Sequence, residues 1–104
     1  MDKKLALDAL RRFRLALESK GFRIQKLVLY GSYAQGKVTE GSDIDVLVIA
    51  DDFWGKSYWE RIEILSDAIY GVFEPVEAIA LTNEEWEQGE RAVVGYARNG
   101  EAIF

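Results

Sequence analysis

The chain has no cysteine, no histidine and a single proline, Pro75, in 104 residues. Without cysteine there is neither a disulfide nor a thiolate metal site, which accords with a reducing compartment. Without histidine, the commonest general base, the usual zinc ligand and every histidine-dependent triad are excluded as well. Any chemistry must run on carboxylates, hydroxyls, lysine or arginine. Long apolar runs are also missing. The opening MDKKLALDALRRFRLALESK interrupts its apolar residues with charges every few positions, so it reads as neither a signal peptide nor a membrane span, and a cytoplasmic location is expected.

What remains is a globular composition, 49% hydrophobic and 30% charged, of a length that fits one domain over residues 1–104. The net charge of −5 is unevenly spread. Residues 1–26 carry eight Lys/Arg against three Asp/Glu, while the rest carries five against fifteen. That acidic majority disfavours nucleic acid as a direct ligand of the whole surface. The basic first segment reads as a solvated helix face, with Asp8 near Arg11 and Arg12.

Apolar periodicity places the elements. Ala6, Ala9, Leu10, Phe13, Ala16 and Leu17 form one helical stripe that Gly21 ends. KLVLY (26–30) is a short buried strand running into Gly31, and DIDVLVIA (43–50) is a second, β-branched one. Tyr58, Ile62, Leu65 and Ile69 predict a helix ending near Gly71. VEAIALT (76–82) predicts a third strand, with Pro75 at its entrance where no ladder donor is needed. Thr82 and Glu85 have the spacing of a capping box that opens a last helix, with Trp86, Val93 and Ala97 on one stripe and an end near Asn99–Gly100. EAIF (101–104) is a candidate final strand. The result is a small α/β (α+β) domain, a mixed sheet of three to four strands packed with about three helices. Both faces of the second strand turn apolar past Asp45, and three helices are too few to cover them with certainty. A partner, or a second copy as a homodimer, is the expected remaining cover.

Between the first two strands lies GSYAQGKVTEGSDID (31–45). Its first half nearly spells a P-loop, but Val38 stands where a magnesium-binding hydroxyl is required, and VTEGSD is a turn into a strand rather than a helix. The whole stretch is more informative. A strand ending at Gly31-Ser32 and followed by a helical turn directs backbone amides and a hydroxyl at one spot, and glycine lets a phosphate approach. Asp43 and Asp45, two residues apart on a strand, project from one face with roughly 7 Å of backbone between them. Oxygen ligands without nitrogen or sulfur suit Mg²⁺ or Mn²⁺. Lys37 and Gln35 read as part of a solvated turn. Trp54, Tyr58, Trp59 and Trp86 read as core or interface aromatics rather than a base-stacking platform.

The pattern Gly-Ser, ten residues, Asp-x-Asp resembles the DNA polymerase β-like nucleotidyltransferases, and in particular the minimal nucleotidyltransferases. The resemblance covers roughly residues 25–82. It implies nucleotide contacts at Gly31, Ser32 and Ser42, and metal-binding, catalytic carboxylates at Asp43 and Asp45, with a third on the neighbouring strand. The matching position is Glu77, which shares a strand face with Ile79 and Leu81 and departs from the family's usual Asp by one methylene. The resemblance further implies Mg-dependent transfer of AMP from ATP to a hydroxyl, with a tyrosine of a helical HEPN-type toxin as acceptor and an antitoxin role. Two other readings are a nucleotide-binding module that neutralises its partner by occlusion, and a nucleotidyltransferase of antibiotic-modifying type.

Overall fold

The computed structural model describes residues 3–39, 41–89 and 91–103. Their order is α1 (Lys3–Ser19), β1 (Lys26–Tyr30), α2 (Ser32–Gln35), β2 (Ile44–Ile49), a 3₁₀ turn (Asp51–Phe53), α3 (Tyr58–Tyr70), β3 (Val76–Leu81), α4 (Asn83–Gln88), α5 (Ala92–Ala97) and β4 (Glu101–Ile103). They build one mixed four-stranded sheet in the order β3-β2-β1-β4. β1 runs antiparallel to both β2 and β4, whereas β2 and β3 are parallel. The parallel pair requires a crossover, which α3 supplies.

Period-two alternation sends the two halves of each strand to different layers. Leu27, Leu29, Ile44, Val46, Val48 and Ala80 join α1 and α3 in one core with Leu10, Phe13, Leu17 and Leu65. Val28, Leu47, Ile49 and Leu81 face the other way and pack with Trp86, Val94 and Ala97 of α4 and α5. Val46 to Ala50 are fully buried, so the chain itself covers both faces of its central strand. The expected shortfall of cover is therefore corrected: the sheet does not call for a partner to close it.

The predicted last helix is two helices. α4 stops at Gly89, whose left-handed backbone (φ 66°, ψ 22°) is easily adopted only without a Cβ. The capping box at its start is present, with the Glu85 amide donating to Thr82 Oγ1 and the Thr82 amide to Glu85 Oε1. The break re-aims α5, so that Val94 rather than Val93 is buried with Trp86 and Ala97. A second capping box, Ser57 with Glu60, opens α3. Its S-x-x-E spacing was visible in the sequence. Of the predicted tail strand, Glu101–Ile103 pairs with β1, and Phe104 lies outside the described residues. Trp86 is core, with Arg98 4.5 Å above its ring centroid, but Trp54, Tyr58 and Trp59 are exposed. Tyr58 is thus on the helix stripe only by spacing; Leu65 and Ala68 carry the buried face of α3.

Arg61 joins three elements. Its guanidinium donates to the carbonyls of Lys56 (3.1 Å) and Ala80 (3.2 Å) and pairs with Glu85 at 2.6 Å. Burial alone raises the Glu85 carboxyl, but the Thr82 amide and Arg61 outweigh it and hold the group below the ordinary glutamate range. Arg61→Ala strips a mostly buried cation from that network, deprives the Ala80 carbonyl of this donor and leaves Glu85 with only the Thr82 amide and no counter-charge. Because Glu85 keeps partial solvent contact, the expected loss of unfolding free energy is about 2 kcal/mol, at the lower end for such pairs. Urea unfolding would read it as a lower midpoint at unchanged slope.

Candidate active site

β1 delivers Tyr30 directly opposite Asp45 on β2, and the parallel register sets Asp45 beside Glu77 on β3. These three share the sheet face that carries Val28, Leu47, Ile79 and Leu81 further along the strands. There α4 and α5 cover the apolar residues. At the other end Glu77 is exposed, while Asp45 and Tyr30 are half-buried. One acidic patch thus lies where the C-terminal end of β1 meets the N-terminal ends of β2 and β3.

The patch is strained electrostatically. Asp45 is pushed up to about 6 by burial first, then by a hydrogen bond to the Glu77 carboxyl and by the charges of Glu77 and Asp43. Two like charges so close disfavour each other's presence, which adds to burial in keeping the Asp45 proton on to higher pH. Tyr30 is raised as well, by burial and then by the negative charges of Asp45 and Glu77.

Gly31 closes the patch from the β1 side. Its backbone (φ 72°, ψ −150°) lies in a region that only glycine occupies readily. A Cβ there would run into Asp45 Oδ2, so the main chain lies directly against the carboxylate. Ser32 then starts α2, whose last turn is closed by the amides of Gly36 and Lys37 donating to the Ser32 carbonyl. Gln35 and Lys37 are exposed on that turn.

Of the residues singled out in the sequence, the structure brings Gly31, Asp45 and Glu77 into contact or close juxtaposition. Asp43 stands outside β2 and bears on Asp45 through its charge. Among the described residues no three acidic side chains are gathered tightly enough to cage a metal ion as they stand. Ser42 is turned to Thr39 instead: its Oγ accepts from the Thr39 amide at 2.9 Å and lies 3.3 Å from the Thr39 hydroxyl. Tyr30 was not among the predicted site residues. Its position immediately before Gly31-Ser32 was the available signal, and the strand register makes it a neighbour of Asp45.

The donor set nevertheless suits a hard divalent cation. It consists of carboxylate oxygens, two of them already converged, beside a main-chain concavity without a side chain. A surface groove of about 280 Å³ lies elsewhere, between α3 and the edge of β3, and is lined by Arg61, Ile62, Ile79 and Arg91 among others. None of the predicted site residues lines it, so the carboxylate patch rather than this groove is the candidate centre.

Residues 10–95 match the family described as "Nucleotidyltransferase domain". Two relatives come from Methanocaldococcus jannaschii, each bearing the name "Putative protein adenylyltransferase". One is 52% identical over 44 residues, covering 41% of this chain and 44% of the relative. The other is 36% identical over 58 residues, covering 56% and 57%. The chain thus matches about half the length of these curated relatives. A crystal structure described as a "putative nucleotidyltransferase" from Sulfolobus solfataricus superposes with a TM-score of 0.62 over 96% of this chain and 86% of that one. At 20% identity this likeness concerns the fold. Among the described residues no helix is long and apolar enough to cross a membrane.

Proposed function

Because the chain belongs to the nucleotidyltransferase domain family, we propose that the Gly31–Asp45–Glu77 patch transfers a nucleoside monophosphate, AMP from ATP, to a protein hydroxyl. The observation that carries the reading is the convergence of Asp45 and Glu77 from neighbouring strands against the bare main chain of Gly31. Gly31 and Ser32 are suited to cradle the triphosphate, because their backbone can be approached without a side chain in the way. Ser42 is held in the Thr39 turn, immediately ahead of Asp43 in the chain.

Asp43, Asp45 and Glu77 would hold Mg²⁺ or Mn²⁺. Such a bound cation neutralises charge on the transferring phosphate and makes the attacking oxygen a better nucleophile. The protein's own part is to fix the phosphates and the carboxylates relative to each other, so that a hydroxyl can approach in line with the leaving pyrophosphate. No histidine is needed for any of this. The relatives' name supplies the acceptor class, a protein, and within it we favour a tyrosine of a helical HEPN-type partner, which would make this chain an antitoxin acting from the cytoplasm.

A second reading keeps nucleotide binding but not efficient turnover. It is favoured by Glu77 in place of Asp and by Asp43 standing apart from the converged pair, since catalytic geometry tolerates displacements of only about 0.5 Å. On that reading the chain silences its partner by occlusion.

The two separate in one experiment. The chain and its partner are incubated with Mg²⁺ and ATP labelled at the α- or the γ-phosphate. Transfer of α label alone, lost by at least a hundredfold in Asp43→Asn, is the expected result, in line with the cost of removing one centre of transition-state charge stabilisation. Label from the γ position would mean a kinase, and a tight complex without any label would leave the occluding module.

A further inference from the structure

We infer that Tyr30 is a built-in acceptor, so that the chain adenylylates itself at this residue when no other hydroxyl occupies the site. The inference rests on the nucleotidyl-transfer reading and goes beyond it. Tyr30 is the last residue of β1 and is followed directly by the proposed phosphate cradle at Gly31. It faces Asp45 across the antiparallel pair, where directly opposed Cβ atoms are about 5 Å apart. Glu77 is the next residue along the same cross-sheet row. Tyr30 therefore stands on the same sheet face as both carboxylates, in one row with them and next in sequence to the cradle.

The surroundings hold the ring in this posture. Tyr30 leans on the core formed by Val28, Leu47 and the α4–α5 residues and is only partly exposed. The charges of both Asp45 and Glu77 reach its hydroxyl, which supports their proximity independently of the register. Rival hydroxyls are otherwise engaged. Tyr33 and Thr82 are buried, and Ser42 is bound to Thr39. Ser32 belongs to the cradle itself.

The reaction balances without any further reagent than the nucleoside triphosphate. The phenolic oxygen bonds to the α-phosphorus, the bond from that phosphorus to the bridging oxygen of the β-phosphate breaks, and pyrophosphate leaves with the electron pair. The phenolic proton is released to solvent at the open edge of the patch. The product, an AMP ester of Tyr30, fills the site from within and closes it to the next nucleotide. A bound acceptor protein would compete with Tyr30 for the same phosphate.

The purified chain alone, with Mg²⁺ and ATP, provides the test. Intact mass should show one AMP added per chain, and peptide mapping should place it on Tyr30. The rate constant should not change on tenfold dilution of the protein, because acceptor and cradle are on one chain. Tyr30→Phe should lose at least tenfold of the incorporation while keeping its melting temperature and the thermal shift given by a non-hydrolysable ATP analogue. Pyrophosphate release with no AMP on Tyr30, AMP mapped to another residue, or undiminished labelling of Tyr30→Phe would each overturn the assignment and leave nucleotidyl transfer standing. Absence of both pyrophosphate and label would overturn the two together.

Discussion

Asp45→Asn should lower nucleotidyl transfer on the order of a thousandfold, yet melt above the wild-type protein at neutral pH when divalent ions are chelated. The two effects have one cause. Asp45 is held half-buried against Glu77 with its carboxyl raised from 3.8 to about 6, so its charge is unwelcome in the folded chain. The sign follows from linkage: below pH 4 the group is protonated in both folded and unfolded chains and costs nothing. As pH rises toward 6 the unfolded chain has released the proton while the folded one still retains it, and stability falls; above 6 the loss is complete. Two pKa units set a ceiling of about 3 kcal/mol, which solvent contact at the carboxyl reduces to about 1 kcal/mol. Thermal melts at pH 4 should then coincide, and at pH 7.5 Asp45→Asn should lead by about 5 °C.

Adding Mg²⁺ at pH 7.5 should reverse the order. The wild-type protein, whose paired carboxylates gain a counter-ion, is expected to rise in melting temperature, while Asp45→Asn stays where it was. A wild-type protein that ignores Mg²⁺ with and without ATP would remove the ground for treating the pair as a metal site.

How much of this was readable in the chain depends on the range of the interaction. Lys26–Tyr30, Tyr58–Tyr70 and Val76–Leu81 fall where the apolar pattern put them, because their buried faces are set by local alternation. Gly89 defeated the pattern: Trp86, Val93 and Ala97 keep a helical spacing across a glycine whose left-handed turn starts a new axis. Trp54, Tyr58 and Trp59, read as core or interface aromatics, lie outside the core for a related reason, since stripe membership says nothing of where the neighbouring layer ends. For the site, period two established that Asp43, Asp45, Ile49 and Leu47 share a face, and that Glu77 does so with Ile79. It could not establish register. That Asp45 meets Glu77 on one side and Tyr30 on the other follows only when β1 and β3 dock on β2. Likewise Ser42 stands next to Asp43 in sequence but turns to Thr39 in space.

The largest structural effect is expected from Gly31→Ala, a change of one methyl group. Holding a residue with a Cβ at φ 72°, ψ −150° costs on the order of 1–3 kcal/mol by itself. The new methyl also meets the Asp45 side chain, with Cγ at 3.2 Å and Cβ at 3.3 Å behind the carboxylate oxygen, so the whole side chain must yield rather than its tip alone. Asp45 cannot yield toward Glu77, where a like charge already stands. The sum should lower unfolding free energy by about 3 kcal/mol and abolish the thermal shift given by Mg²⁺ and ATP. A double-mutant cycle separates the two contributions. In an Asp45→Ala background the steric part disappears and only the backbone cost remains, so Gly31→Ala should be cheaper there by about 1 kcal/mol or more, the coupling expected of residues in contact. Additive effects would mean that Gly31 does not abut the Asp45 carboxylate, and the cradle would lose its connection to the acidic pair.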